Sequence, residues 1–190
     1  AYRLLLKEKF DGVIIATLFG DHVIDLSKKL EAIDTPYVYI DSDIEGQNDL
    51  AYFGGDSFVS GQIAAKLLVK EVGLETDIFF AYIKFKHREV SVQMRTRELG
   101  FVHYLENSNY KGTIHRVELD PDDDGKSMEI INSLLASNKS LMGGIVFNSR
   151  IYELISFLDE VDPSLVGNIR LVGHDAIEGN ISALKDDKIM

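Results

Sequence analysis

The chain contains no cysteine and only three prolines among its 190 residues. The absence of cysteine excludes disulfide bonds, thiolate catalysis and cysteine-liganded zinc sites, and it suits a reducing cytoplasm, which is the compartment we predict. The scarcity of proline and the lack of low-complexity tracts argue against a linker-rich or disordered protein. No run of about 18 apolar residues occurs, so the sequence predicts no membrane-spanning helix and no membrane partner.

Positive charge is also scarce, because 20 Lys and Arg residues stand against 31 Asp and Glu residues and give a formal net charge of −11. The negative electrostatic field of such a chain repels the phosphate backbone of nucleic acids. We therefore expect any DNA-binding part to lie outside this chain. The 45% of hydrophobic residues supply a core for one large domain or two small ones.

Short runs rich in Val, Ile, Phe and Tyr alternate with amphipathic stretches, an alternation that predicts an α/β fold with parallel sheets and helices on both faces. The near-continuous apolarity of VIIATL and YVYI predicts strands that are buried on both faces. Ser57, Asp124 and Ser149 precede helical patterns and are candidate helix caps. The predicted strands are residues 11–18, 36–41, 50–54, 77–83, 113–119, 143–148 and 169–173.

Polar residues stand at the ends of four of these predicted strands or just beyond them, at Asp41, Asp56, Asn148 and Asp175. In open parallel sheets, ligands bind outside the carboxyl ends of the strands. Together with Arg97, whose planar guanidinium can bridge two oxygens, these side chains mix hydrogen-bond donors with acceptors. Sugar hydroxyl groups need this mixture, so the pattern favours a sugar or a sugar derivative as the ligand.

Each of these residues also has a structural interpretation. Asp56 could extend a helix cap, and Asn148 could be the residue before a helix cap. Arg97 could pair with Glu98 or Asp124 at the surface, and we expect Asp41 to cap a loop.

Metal and cofactor motifs are incomplete. The stretch DPDDDG at residues 120–125 matches the opening of a calcium loop, but its twelfth position is Ile131 where a bidentate Glu is required, which favours a solvated turn before a helix. The five histidines show no repeated ligand spacing. No phosphate-binding loop, dinucleotide fingerprint or nucleophile elbow occurs. We predict no bound metal, no cofactor and no enzymatic activity. An enzyme that uses Asp41, Asp56 and Asp175 for acid–base catalysis is an alternative class of function.

Four motifs carry a family resemblance: GGDSFVSGQIAAKLL at residues 54–68, QMRTRELGFVHYL at 93–105, IVFNS at 145–149 and LVGHD at 171–175. In order and spacing the chain resembles the effector-binding domain of the lactose-repressor (LacI/GalR) family of bacterial regulators. The resemblance implies a type I periplasmic-binding-protein-like fold with two Rossmann-like parallel-sheet subdomains, truncated at both ends. It assigns residues 1–72 to a partial N-terminal subdomain, and 73–190 to a C-terminal subdomain with the start of a return crossover.

The resemblance further implies that Asp56, Arg97, Asn148 and Asp175 line a sugar cleft. The expected function is sugar sensing in a homodimeric regulator, in which ligand-driven hinge closure controls DNA binding by a helix-turn-helix domain outside this chain. The alternative is a periplasmic sugar-binding protein that serves a transporter or a sensor kinase.

Overall fold

The computed structural model describes residues 10–17, 20–84 and 91–190. They form two compact units, one drawn from Ala1–Ser57 and Val90–Thr96, the other from Phe58–Glu89 and Arg97–Met190. The predicted subdomain boundary after Val72 stays a prediction. The boundary between the two compact units lies at a different place, since residues 58–72 belong to the second unit.

The first unit contains a three-stranded parallel sheet in the order β1-β2-β3. Ile15 of β1 pairs with Tyr39 of β2, and Tyr39 in turn pairs with Tyr52 of β3. The elements are β1 (Val13–Ala16), α1 (Gly20–Glu31), β2 (Tyr37–Ile40) and β3 (Tyr52–Phe53).

The core of this first unit lies on one face of the sheet, where Ile15, Tyr37 and Tyr39 pack with Leu30 of α1. The expectation that β1 and β2 are buried on both faces is wrong for the described residues, because Ile14 is 71% exposed and Ile40 38% exposed. The cause is the alternation of side chains along a strand, which turns every second residue away from α1.

The second unit contains a four-stranded parallel sheet in the order β5-β4-β6-β7. The chain runs from β4 to one neighbour, β5, and then returns to the other side of β4 to form β6. This reversal places a topological switch point between the carboxyl ends of β4 and β6, where open α/β sheets bind ligands. The elements that contribute to this unit are α2 (Ser57–Val72), β4 (Asp77–Ile83), α3 (Val92–Asn107), β5 (Ile114–Leu119), α4 (Asp124–Ser137), β6 (Leu141–Val146), α5 (Ile151–Val161), α6 (Pro163–Asn168), β7 (Arg170–Val172) and α7 (Glu178–Lys185). Ser57 of α2 and residues 92–96 of α3 belong to the first unit.

The central strands of this sheet are buried on both faces, as their apolarity predicts. Phe79 and Ala81 of β4 pack with Leu154 and Leu158 of α5. Phe80, the strand residue between them, makes edge-to-face contacts with Phe101 and Phe147, at centroid distances of 5.2 and 5.1 Å. This aromatic cluster joins α3 to the end of β6, so the helix that carries Arg97 is fixed against the strand that precedes Asn148.

All seven predicted strands are confirmed, each shifted or shortened by a few residues at most. The helix caps were predicted less well. The cap of α4 is Asp123, whose carboxylate accepts a hydrogen bond from the amide of Lys126, and not Asp124. Helix α5 begins after Arg150, not after Ser149. The cap of α4 therefore lies one residue before its predicted position, and the cap of α5 lies one residue after it.

Helix α2 leaves Ile63 and Leu67 55% and 45% exposed. The helix instead buries Gly61, Ala64, Ala65 and Leu68. Small residues form its inward face because another helix approaches it closely. None of the described helices is long and apolar enough to cross a membrane.

Candidate ligand-binding site

Asn148 lies at the switch point of the second sheet, two residues beyond β6. Its amide Nδ2 donates to the carbonyl oxygen of Ile83 at the end of β4, at 3.2 Å. Its Oδ1 accepts the amide of Arg150 at 3.0 Å, which closes the turn into α5. Asn148 therefore helps to form the turn before α5, but it is not the residue directly before the helix cap, because the cap is Arg150 and Ser149 lies between them. The amide group still has one further hydrogen and one further lone pair for a ligand.

Arg97 is 7% exposed and extends from α3 toward the same sheet edge. Its Nη1 donates to the carbonyl oxygen of Phe147 at 2.9 Å, and its Nη2 lies 3.6 Å from Oδ1 of Asp175. Glu98, one of the two partners considered from the sequence, pairs with Arg116. Arg97 thus holds the ends of β6 and β7 together.

Two glycines allow α3 to carry Arg97 this close to the sheet. A Cβ atom at Gly100 would lie 1.9 Å from the carbonyl oxygen of Phe58 in α2, and a Cβ atom at Gly61 would lie 1.9 Å from the carbonyl oxygen of Arg97. The two helices therefore cross with their backbones in contact, and only glycine fits at either position. The Arg-x-x-Gly-Phe pattern owes its glycine to this crossing.

Asp175 follows β7 and takes a left-handed backbone conformation, with φ of 67°. Its side chain is 47% exposed, so the carboxylate reaches solvent while it faces Arg97. The neighbouring His174 stacks on Phe147 and lies 3.5 Å from the hydroxyl of Ser60, measured to Nδ1. Burial, and then the positive charge of Arg97, lower the pKa of His174 from 6.5 to about 4. The imidazole is therefore neutral at pH 7, and Arg97 with Asp175 dominates the local charge.

In the first unit, Asp56 is exposed and directly precedes α2, where the cap interpretation also fits. Asp41 follows β2 with φ of 81°, and its backbone oxygen accepts the hydroxyl of Tyr52 at 3.0 Å. The side chain of Gln93 donates to Oδ1 of Asp41 at 3.1 Å. The sequence analysis did not identify Gln93 as the partner of Asp41.

Three of the four predicted site residues, Arg97, Asn148 and Asp175, thus gather at the carboxyl edge of the second sheet, whereas Asp56 belongs to the first unit. Their role as ligand contacts stays a prediction. The acidic stretch at residues 120–125 forms a turn before α4, with the amide of Asp122 bonded to Oδ1 of Asp120. Among the described residues, no group of three or more His, Asp or Glu residues could hold a metal ion.

Comparison with known proteins decides the family, because residues 3–190 match the periplasmic binding protein domain. The chain belongs to this family. Its α/β fold with parallel sheets is that of a type I periplasmic-binding-protein-like domain, as predicted. A search of curated protein sequences found no significant match.

Solved structures of similar proteins include one named as a candidate regulator and others named as sugar-binding or solute-binding proteins. A candidate LacI transcriptional regulator from Bacteroides fragilis is 26% identical, with a TM-score of 0.87 over 99% of this domain and 64% of that chain. GanP, a glucose-galactose binding protein from Geobacillus stearothermophilus, is 16% identical, with a TM-score of 0.79 over 99% and 65% of the two chains. A transporter solute-binding protein from Burkholderia graminis, solved with D-arabinose, is 19% identical, with a TM-score of 0.80 over 99% and 64%.

The periplasmic-binding-protein-like domain therefore spans slightly less than two thirds of the length of these structures. The first two differ in what their names describe, a regulator and a sugar-binding protein. The fold is common to both, so the fold alone does not distinguish these two functions.

Proposed function

We propose that this domain binds a sugar or a sugar derivative, and that it senses this effector for a bacterial transcriptional regulator. The observation that carries the proposal is the convergence of Arg97, Asn148 and Asp175 at the switch point of the second sheet. Related structures that were solved with D-arabinose and with α-D-tagatopyranose support a sugar as the ligand class.

The chemistry of this edge suits a polyol. The Asp175 carboxylate only accepts hydrogen bonds, the Arg97 guanidinium only donates them, and the Asn148 amide does both. A sugar hydroxyl donates one hydrogen bond and accepts others, so it can bind an aspartate and an arginine together. Hydrogen bonds to charged groups contribute about 1.5–3 kcal/mol each, which is enough to fix the orientation of the ring.

Under this proposal the domain performs no catalytic step, and Asp56 of the first unit contributes a further ligand contact. Sugar binding shifts a hinge equilibrium, and this shift controls DNA binding by a helix-turn-helix domain outside this chain, in the cytoplasm. A ligand can shift such an equilibrium only by the difference between its affinities for the two states. The acidic domain itself makes no contact with DNA under this proposal, because its net charge of −11 repels the phosphate groups.

A carrier function is the second candidate, and the structural similarity to GanP and to the arabinose-bound protein favours it. The two functions differ in one measurable property of the complete protein. A regulator changes its affinity for its own promoter DNA when sugar is added, whereas a carrier binds no promoter with or without sugar. Breakdown of the sugar during incubation would contradict both functions.

Sugar binding is tested by thermal shift with D-arabinose, D-tagatose, D-glucose and D-galactose, followed by calorimetry with whichever sugar raises the melting temperature. We expect Arg97→Ala and Asp175→Asn each to weaken binding at least about tenfold. Arg170→Ala is the matched control, because Arg170 is exposed and begins β7, the strand whose other end leads to Asp175. Equal affinities in all four proteins would overturn the proposed site.

We also propose that the protein is a homodimer. Helix α7 supports this, since Ile181 and Leu184 of the helix and its N-cap residue Ile177 form an apolar stripe, in which Ile177 is 39%, Ile181 39% and Leu184 52% exposed. Glu178 lies in its first turn and Lys185 in its last. If two copies of α7 pack antiparallel about a twofold axis near Ile181, each Glu178 faces Lys185 of the other copy, so that the surface is complementary to itself.

Light scattering at micromolar concentration tests the dimer. Ile181→Lys should convert the protein to a monomer, because it introduces two like charges at the twofold axis. Ile63→Lys provides the control, since Ile63 is also exposed but lies on α2. A wild-type protein that is already monomeric contradicts the dimer, and a dimer that withstands Ile181→Lys contradicts this interface.

A further inference from the structure

Asn180 is a buried polar residue that the sequence analysis did not select. It lies in α7 and is only 4% exposed. Its amide nitrogen Nδ2 contacts three backbone carbonyl oxygens, those of Ser149 at 3.0 Å, His174 at 2.8 Å and Asp175 at 2.9 Å. An amide nitrogen has two hydrogens, so the three acceptors share them.

The three carbonyl groups belong to two different connections. Ser149 lies between β6 and α5, directly after Asn148, whereas His174 and Asp175 lie between β7 and α7. A single side chain on α7 therefore ties together the two connections that carry two of the predicted site residues. Arg97 joins the same two connections through its bonds to Phe147 and Asp175.

The three acceptors also explain why the residue is asparagine. A carboxylate of the same shape would place negative charge against three carbonyl oxygens, and an apolar side chain would leave all three without this donor. The Oδ1 atom of Asn180 is buried and accepts no hydrogen bond from any residue that the structure describes. Leaving a buried acceptor unpaired costs free energy, which the three contacts of Nδ2 must offset.

We infer that Asn180 is a positioning residue, which holds the Asn148 and Asp175 connections in the geometry that binds the sugar. Asp175 benefits from such support, because its left-handed backbone conformation costs free energy even though aspartate adopts it more readily than most residues. The effect on sugar binding rests on the function proposed above. The restraint on the two connections does not, and it can be measured without ligand.

The first experiment is hydrogen–deuterium exchange on the unliganded protein, followed by mass spectrometry. Asn180→Asp, and Asn180→Ala as a second variant in case the first does not fold, should speed exchange in peptides covering residues 148–151 and 174–177 at least about tenfold. Peptides from β4 and β5 should be unchanged. Asn168→Asp is the matched control, because its Nδ2 contacts a single carbonyl oxygen, that of Ser164, on the surface of α6.

Unchanged exchange in both connections of a folded variant would overturn the inference, and so would equal acceleration throughout the sheet, which would make Asn180 a general stabilising residue. The second experiment is calorimetry with D-arabinose. We expect Asn180→Ala to weaken binding at least about tenfold and Asn168→Asp to leave it unchanged. Unaltered affinity in a variant with accelerated exchange would refute the link to binding. If wild-type protein binds none of the sugars tested, the proposed function fails while the exchange result still decides the restraint.

Discussion

Replacement of Gly100 by alanine tests whether the close crossing of α2 and α3 positions Arg97. The added Cβ would lie 1.9 Å from the carbonyl oxygen of Phe58. Ordinary contacts between non-bonded heavy atoms are about 3.5 Å, so the helices must separate by more than about 1 Å. The obstructing atom belongs to the backbone of a helix and cannot rotate away, as the end of a side chain could.

Two opposing effects set the size of the change. Alanine is intrinsically better than glycine inside a helix by about 1 kcal/mol. Overpacking a close contact costs about 1–3 kcal/mol, and a backbone clash belongs at the upper end of that range. We expect the free energy of unfolding to fall by about 2 kcal/mol, which lowers the melting temperature by about 4–8 °C in a protein of this size.

Urea unfolding measures this change, and Gly125→Ala provides the control. Gly125 lies in the first turn of α4 with no atom within 4 Å of its added Cβ, so the same substitution should be neutral or slightly stabilising there. The double variant Gly61→Ala with Gly100→Ala should lose less than the sum of the two single losses, because the first substitution already separates the helices. A Gly100→Ala protein as stable as the Gly125→Ala control would refute the reasoning.

Two further predictions concern pH. His174 has a pKa lowered from 6.5 to about 4 by burial and by Arg97, so it stays neutral in the folded state over a range where the unfolded chain takes up a proton. Stability should therefore fall by about 3 kcal/mol as pH drops from 6.5 to 4, and His174→Gln should flatten that part of the curve. Asp77 has a lowered pKa because its carboxylate accepts hydrogen bonds from the Ser140 hydroxyl and the Thr113 amide. The stabilisation that the ionised carboxylate of Asp77 provides is present above about pH 3.8 and is lost as pH falls further. Asp77→Asn should therefore be less stable than wild type at pH 7, and the difference in stability should shrink at acid pH. Equal stability at pH 7 would contradict this.

Some features of the site were predictable and others were not, for identifiable reasons. Asn148 and Asp175 could be located because each lies within three residues of the end of an apolar strand, and the carboxyl ends of parallel strands share one edge. Asn180 carried no such signal, since it lies in a polar helix five residues beyond Asp175. Its three acceptors are backbone carbonyl groups, which every residue has. Gln93 was missed because its partner, Asp41, is 52 residues away along the chain.

The sequence by itself determined the α/β class, the seven strands and the absence of cysteine chemistry, because strand runs and composition are local properties of the chain. Only the tertiary structure decided which side of α2 is buried, that Gly61 and Gly100 lie at a helix crossing, and that one asparagine restrains two connections. These features depend on which backbones come within a few ångströms of one another. Such distances are set by packing between residues far apart in the chain, and no local pattern encodes them.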